Sequence, residues 1–358
     1  MKKLDNPEQY LREPYRRAFE IVGGFLGDLR RGVEAGESLD LEVGEVGRVL
    51  FLGVGGSGII GDFARRLLVE AGVSASVSKD YRVVGGLDRD LVIAVSHSGN
   101  TAEVVKPALE LASKLRDRMV FVTSGGVLAG IGERYGIPVA RVRGDVPPRY
   151  AFPSMLGAVL GILSRIGLLK PRIDYSKLEE VQTKVREDAS FEENPAKRIA
   201  ARIAGGFPIV YAYDEVRAPG YRLKCQLNEN AKMYCGFAEL PEGFHNDVEA
   251  LPGDGVVVIP RSFRERAELG MAIEAFAELV GSDRVVFLRG ESGDGLGELL
   301  ELTIQADYIS LYASILRGSD PLSLPFMNRL KKLNKAYELV LGDARKRLGQ
   351  GRDPPREA

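Results

Sequence analysis

Short apolar runs alternate with helical stretches along most of the chain, and this alternation narrows the fold more than any composition value does. Arg48–Gly53, Ala75–Lys79, Leu91–Val95, Met119–Thr123 and Pro138–Val142 read as buried strands separated by helical patterns. Such an order predicts a parallel sheet covered on both faces. The pattern restarts with strands at Pro208–Tyr213, Gly255–Ile259 and Arg284–Leu288 and helices at Pro219–Met233, Phe263–Val280 and Gly295–Leu316. Around these, residues 7–31 predict one amphipathic helix, Ala151–Leu169 another, and Asp174–Ala204 one or two connecting helices. Pro325–Arg347 predicts a single long helix ahead of a loose tail, Gly349–Ala358. The expected organisation is therefore a helical segment 1–47, an α/β unit 48–170, connecting helices 171–205, a second α/β unit 206–324, and a C-terminal helix and tail 325–358.

At 358 residues the chain is long enough for two such units. Forty-nine basic residues against fifty acidic ones leave no electrostatic footprint for nucleic acid. No apolar run approaches the roughly 18–20 residues of a membrane span. The N-terminal stretch has lysines but no apolar core, so a secretory signal is not expected and a cytoplasmic location is. Cys225 and Cys235 have no second pair to complete a zinc site, and reduced, buried thiols are expected. Absence of Trp and 28% charged residues lean towards a thermophilic source, where a disulfide becomes thinkable.

Chemistry gathers at the strand ends of the first half. Leu91–Thr101 (LVIAVSHSGNT) runs from an apolar strand into a turn with Ser96, Ser98 and Thr101, and a helical pattern follows. First-turn N–H groups, the helix dipole and hydroxyl donors together make an anion cradle, and phosphate is the expected ligand. The turn after the first strand, Gly53–Gly58 (GVGGSG), satisfies G-x-G-x-x-G, and Asp80 stands where a ribose-binding acid would. A dinucleotide site is the competing reading. Ser57 and the three further hydroxyls weigh against it, because a dinucleotide site does not need them.

Four other residues invite assignment. His97 alternates with Ser96 and Ser98, so its ring is expected to point away from their hydroxyls. His245 lies in a Pro/Gly-marked turn, LPEGFHN, outside any apolar face. Glu229 lies between Asn228 and Asn230 near Leu223, Leu227 and Met233, an oriented carboxylate suited to proton abstraction beside a carbonyl; a capping or salt-bridged glutamate is the plainer alternative. Arg149 follows Pro147-Pro148 at a helix start, where a stiffly held guanidinium can steady an oxyanion or phosphate, or serve as an ordinary surface cation.

Taken together, GVGGSG (53–58), SHSGNT (96–101), PPRYAFP (147–153), NENAK (228–232), ELPEGFHN (239–246) and DPLSLP running into NRLKK (320–332) resemble the SIS (sugar isomerase) fold. More specifically, they resemble the archaeal bifunctional phosphoglucose/phosphomannose isomerases, over most of the chain and in the family's order. The resemblance implies two SIS-type, flavodoxin-like parallel-sheet α/β subdomains with N- and C-terminal helices. It implies interconversion of glucose 6-phosphate and fructose 6-phosphate through a cis-enediol, with mannose 6-phosphate as a second substrate. By it Glu229 is the base, His245 and Lys331 assist ring opening, and Arg149 steadies the enediolate. Gly56, Ser57, Ser96, Ser98 and Thr101 fall on phosphate-binding positions, and Arg149 also counts among the substrate contacts. The family's histidine comes from a partner subunit, so a homodimer is implied. Such isomerisation needs no metal or organic cofactor, and none is expected.

Two departures stand out. The family often has an aromatic residue at the position of His97. Bifunctional members carry a threonine where this chain has Leu324, a residue unable to hydrogen-bond a sugar oxygen or a water, which puts mannose 6-phosphate in question unless neighbouring Ser323 substitutes. The rival readings are a SIS-type sugar-phosphate-binding module or regulator without turnover, an amino-sugar phosphate synthase, and an oxidoreductase. The Glu229–His245 pair argues against the first. The second wants an N-terminal cysteine nucleophile, and the chain begins Met1-Lys2-Lys3.

Overall fold

A computed structural model describes residues 3–83 and 89–349. The chain opens with α1 (Glu8–Leu11), α2 (Tyr15–Gly23) and α3 (Phe25–Glu37). The predicted single helix 7–31 is thus three. Pro14 has no N–H for the ladder and turns its predecessor away from helical geometry, and Gly24 ends the second segment. Then come β1 (Arg48–Leu52), α4 (Gly56–Glu70), β2 (Ala75–Ser78), β3 (Asp90–Val95), α5 (Ala102–Leu115), β4 (Met119–Thr123), α6 (Gly126–Tyr135), β5 (Val139–Arg141) and α7 (Phe152–Arg165). The connecting helices are α8 (Tyr175–Val185) and α9 (Pro195–Ile203). The second half holds β6 (Phe207–Ala212), α10 (Arg217–Asn230), β7 (Gly236–Glu239), β8 (Gly255–Arg261), α11 (Ala267–Val280), β9 (Val285–Arg289) and α12 (Gly295–Arg317). The chain ends in α13 (Pro325–Leu333) and α14 (Lys335–Arg347). The expected terminal helix is split at Asn334, whose extended ψ of 95° breaks the ladder while its side chain caps Ala336. Apart from Gly349, the predicted tail lies outside the described residues.

Both sheets are parallel throughout, with strand orders β2-β1-β3-β4-β5 and β7-β6-β8-β9. The chain divides into two compact units: residues up to Leu26 with Arg172–Ser323, and Gly27–Pro171 with the chain from Leu324 onward.

In the unit from Gly27, β3 and β4 are buried along their whole length, as strands covered on both faces must be. Val92, Ala94 and Phe121 pack with Val104, Ala108 and Leu109 of α5 and Leu128 and Ile131 of α6, and Ala344 of α14 closes that cluster. On the other side α7 crosses α3 almost backbone to backbone. A Cβ on Gly32 would lie 2.2 Å from the Ser154 carbonyl oxygen, and one on Gly157 2.2 Å from that of Leu29. Gly36 and Gly161 repeat the pattern one turn on, so each helix presents a small-xxx-small stripe that lets the axes approach. That contact sets the position of the turn ahead of α7.

In the other unit α12 is the central helix, and most of its residues are buried all round. Tyr10, Phe19, Tyr308 and Tyr312 stack in a cluster with centroids 5.1–6.3 Å apart. The Lys197 ammonium is buried over the rings of Tyr10 and Tyr312 and donates to the carbonyls of Glu187 and Ala189. It ties the N-terminal segment to the loop between α8 and α9.

Candidate active site

From β1 the chain crosses to β2 on one flank and then returns to β3 on the other, so the crevice between β1 and β3 is the topological switch point of that sheet. Open parallel sheets bind ligands there, beyond the carboxyl ends of the strands. Both sequence-predicted loops end at it, because β1 runs into Gly53–Gly58 and β3 into Ser96–Thr101. The helices they start, α4 and α5, have no side-chain cap. Asp174, Asn194, Asp294 and Asn334 cap α8, α9, α12 and α14, while α7, α10, α11 and α13 share the lack of a side-chain cap. Two helix starts without a side-chain cap, side by side at a switch point, present the kind of backbone N–H groups that anions bind.

The hydroxyls add to these groups. Ser96 is buried just past β3, with its Oγ 2.9 Å from Thr101 Oγ1. Thr101 holds the N-cap position of α5 but bonds Ser96 rather than the helix. Ser98 is exposed and accepts from the Asn100 amide. Ser57, in the first turn of α4, has its Oγ 3.8 Å from Met155 Sδ, a weak contact that leaves hydrogen-bonding capacity to spare. Gly56 starts α4, and a Cβ there would sit 4.0 Å from Arg149 Cα, so the arginine's backbone runs beside the glycine loop. Arg149 is 4% exposed, in the 3-10 turn before α7, with its guanidinium carbon 4.8 Å from the Tyr150 ring centre. The structure thus brings Gly56, Ser57 and Arg149 together, and likewise Ser96, Ser98 and Thr101.

His97 is turned away from the hydroxyls, as its alternation predicts. Its Nε2 lies 2.7 Å from the Arg143 carbonyl oxygen, and burial lowers its pKa from the ordinary value. Asn100 has a task that a hydroxyl-centred reading overlooks: its Oδ1 accepts from Val127 N and so caps α6. Gly99, at φ +62°, lets the loop press against Gly125. Two further features escaped the sequence reading. Glu103, in the first turn of α5, accepts from Tyr81 and from Tyr337 of α14, at 3.1 and 2.9 Å. Lys79, at the end of β2, pairs with Asp62 at 2.7 Å. An aromatic pair more than 250 residues apart leaves no local signal.

Glu229 and His245 lie in the unit built on the second sheet. Glu229 is half-buried in the last turn of α10. His245 ends a 3-10 turn after β7, is exposed, and makes no hydrogen bond through its ring among the described residues. The structure joins the two by no hydrogen bond. Lys331 is exposed on α13, a helix without a buried residue, and Leu324 is that helix's N-cap. Among the described residues no group of three His, Cys, Asp or Glu could hold a metal ion, and no helix is long and apolar enough to cross a membrane.

The second sheet has its own switch point, between β6 and β8. There the chain supplies its own anion. The buried Glu298 carboxylate accepts from Ser262 Oγ at 2.7 Å and Phe263 N at 2.8 Å. Tyr213 donates to Glu265 and accepts from Ser262 N. Hydroxyl and backbone donors at the second crevice are thus spent on side chains of the chain itself.

Residues 192–333 match the family described as the bacterial phospho-glucose isomerase C-terminal SIS domain. A bifunctional phosphoglucose/phosphomannose isomerase from Aquifex aeolicus is 30% identical over 299 residues, covering 81% of this chain and 91% of that one. A D-glucosamine-6-phosphate 4-epimerase from Sulfolobus acidocaldarius is 33% identical over 206 residues, 56% of this chain and 63% of that one. Among solved structures, a glucose-6-phosphate isomerase like protein from Thermus thermophilus shares the fold with a TM-score of 0.60 at 19% identity, covering 93% of this chain and 100% of the other. The chain belongs to the bifunctional phosphoglucose/phosphomannose isomerase family.

Proposed function

We propose that this sugar-phosphate isomerase interconverts glucose 6-phosphate and fructose 6-phosphate. The observation that carries the reading is the pair of uncapped helix starts, α4 and α5, with their hydroxyls at one switch point. They suit a phosphate monoester, whose oxygens accept several donors at once. In this reading Gly56 and Ser57 offer backbone N–H groups, and Ser57, Ser96, Ser98 and Thr101 offer hydroxyls. The remote phosphate supplies binding energy that orients the carbon chain.

Glu229 then removes the C2 proton of the open-chain aldose and returns it to C1, passing through a cis-enediol. Arg149 steadies the negative charge that develops on oxygen, a task for which a buried, stacked guanidinium is preorganised. His245 and Lys331 assist opening of the pyranose ring by moving protons to and from its oxygens. The exposure of His245 on the single chain supports its delivery to a second copy in a homodimer.

The test is incubation of the purified chain, without added metal, with glucose 6-phosphate, mannose 6-phosphate and glucosamine 6-phosphate in separate reactions. Fructose 6-phosphate is expected from the first. Product from glucosamine 6-phosphate alone, or from none, would overturn the reading. Glu229→Gln should abolish turnover, and near-wild-type activity in that variant would remove the proposed base.

A further inference from the structure

The helix that carries Glu229 is held by a buried polar seam, where an apolar contact would be cheaper. Arg222, Gln226 and Asn230 recur every four residues on one face of α10, and each is 1% exposed or less. All three meet α12. Arg222 donates to both carboxylate oxygens of Asp307, Nε to Oδ1 at 2.9 Å and Nη2 to Oδ2 at 2.8 Å. Gln226 Nε2 donates to the same Oδ1 at 2.9 Å, and Asn230 Nδ2 donates to Ser310 Oγ at 2.9 Å. Ser310 in turn donates to the Asp307 carbonyl.

The last turn of α10 is fastened as well. Its carbonyls at Glu229, Asn230 and Ala231, orphans at any helix end, accept from Lys232 Nζ, Ser319 Oγ and Arg317 Nε. Lys232 does this from a left-handed backbone conformation, φ +51°, that a lysine rarely adopts. Glu229 stands seven residues after Arg222, about 20° short of two full turns, so it lies close to the seam's own face. Rotation of α10 about its axis would carry Glu229 with it, and the seam opposes that rotation through directional bonds.

Apolar side chains of similar volume would fill this contact at no loss of stability, since replacing a buried ion pair in that way is often neutral or stabilising. What they would not supply is a single rotational setting. We propose that Asp307, acting through Arg222 and Gln226, is a positioning residue that sets the rotation of α10 and thereby the place of Glu229. This rests on the reading of Glu229 as the base.

The experiment is the paired replacement Arg222→Met with Asp307→Leu, which removes both charges together, measured beside Glu229→Gln and wild type for Tm, kcat and KM with glucose 6-phosphate. The expected result is a folded protein with KM within about twofold of wild type and kcat at least tenfold lower. A seam with only a structural role would move Tm and leave kcat of the folded protein alone. A folded double variant with wild-type kcat overturns the inference. If Glu229→Gln itself stays active, the reading of the base fails instead, and the two failures are told apart. Should the double variant not fold, Gln226→Leu keeps the ion pair and removes one bond to Asp307. It should lower kcat severalfold at constant KM, and an unchanged kcat there equally overturns the inference.

Discussion

Gly99→Ala probes the anion loop through backbone geometry alone. Gly99 has φ +62°, and a Cβ there would lie 1.8 Å from the Gly125 carbonyl oxygen, whereas ordinary contact begins at 3.4 Å. The loops at 96–101 and 123–127 must therefore part by about 1.6 Å, the difference between those distances. Four hydrogen bonds of 3.1 Å or shorter cross that seam, Ser124 N and Ser124 Oγ to the His97 carbonyl, Leu128 N to the Gly99 carbonyl, and Val127 N to Asn100 Oδ1, and Thr123 Oγ1 adds a longer one to the His97 carbonyl at 3.3 Å. Bonds of 2.7–3.1 Å do not survive such a shift. At roughly 1 kcal/mol net for each bond, plus about 1 kcal/mol for a left-handed alanine, the loss is about 3–5 kcal/mol.

Gly136→Ala is the matched control, with φ +70° and nothing within 4 Å of its Cβ. It should lose only the conformational part, about 1 kcal/mol. At roughly 2–4 °C per kcal/mol, Gly99→Ala is expected to melt about 6–20 °C below wild type, and Gly136→Ala about 2–4 °C below. Circular dichroism melts read the first effect, and KM for glucose 6-phosphate reads the second. KM should rise at least tenfold in Gly99→Ala only, because the hydroxyls move with the loop. Equal Tm and equal KM in the two variants would refute the claim that the loops are locked by a missing Cβ.

Burial holds His97 neutral, its pKa below the ordinary value of about 6.5. The unfolded chain takes up a proton there that the folded chain resists, so stability falls as pH drops through about 6.5, and His97→Gln should flatten that slope in denaturant titrations. Tyr337→Phe removes one of the two phenolic donors to Glu103 and should cost about 1 kcal/mol by chemical denaturation; an unchanged midpoint would show that α14 is held by packing alone. Leu324→Thr restores a hydroxyl at the start of α13 and should raise kcat/KM for mannose 6-phosphate relative to glucose 6-phosphate at least tenfold. An unaltered ratio would detach that position from epimer tolerance.

The crevice between β1 and β3 was legible because its signals are local. An apolar run, a turn of small and hydroxyl residues and a helix start are contiguous in Leu91–Thr101, and parallel-sheet topology then carries both loops to one end. β7 was not legible. Gly236-Phe237-Ala238-Glu239 is short and has no β-branched residue, and it is a strand because β6 offers it an edge. The breaks at Pro14 and Asn334 fall inside sustained apolar periodicity, which masked them. Arg222, Gln226 and Asp307 read on their own as surface polars, and only the α10–α12 contact turns them into a buried seam.

By itself, then, the sequence determined the parallel α/β architecture, the two hydroxyl- and glycine-rich loops that meet at the first switch point and the family to which the chain belongs, since each depends on neighbours within a dozen residues or on motif order. Tertiary structure alone decided that Asn100 caps α6 rather than the helix that follows it in the chain. It also decided that the second sheet's crevice is filled by Glu298, and that the helix of Glu229 is riveted to α12. Those outcomes depend on which distant donors and acceptors meet, and a hydrogen-bond partner 85 residues away, as Asp307 is for Arg222, has no imprint in local pattern.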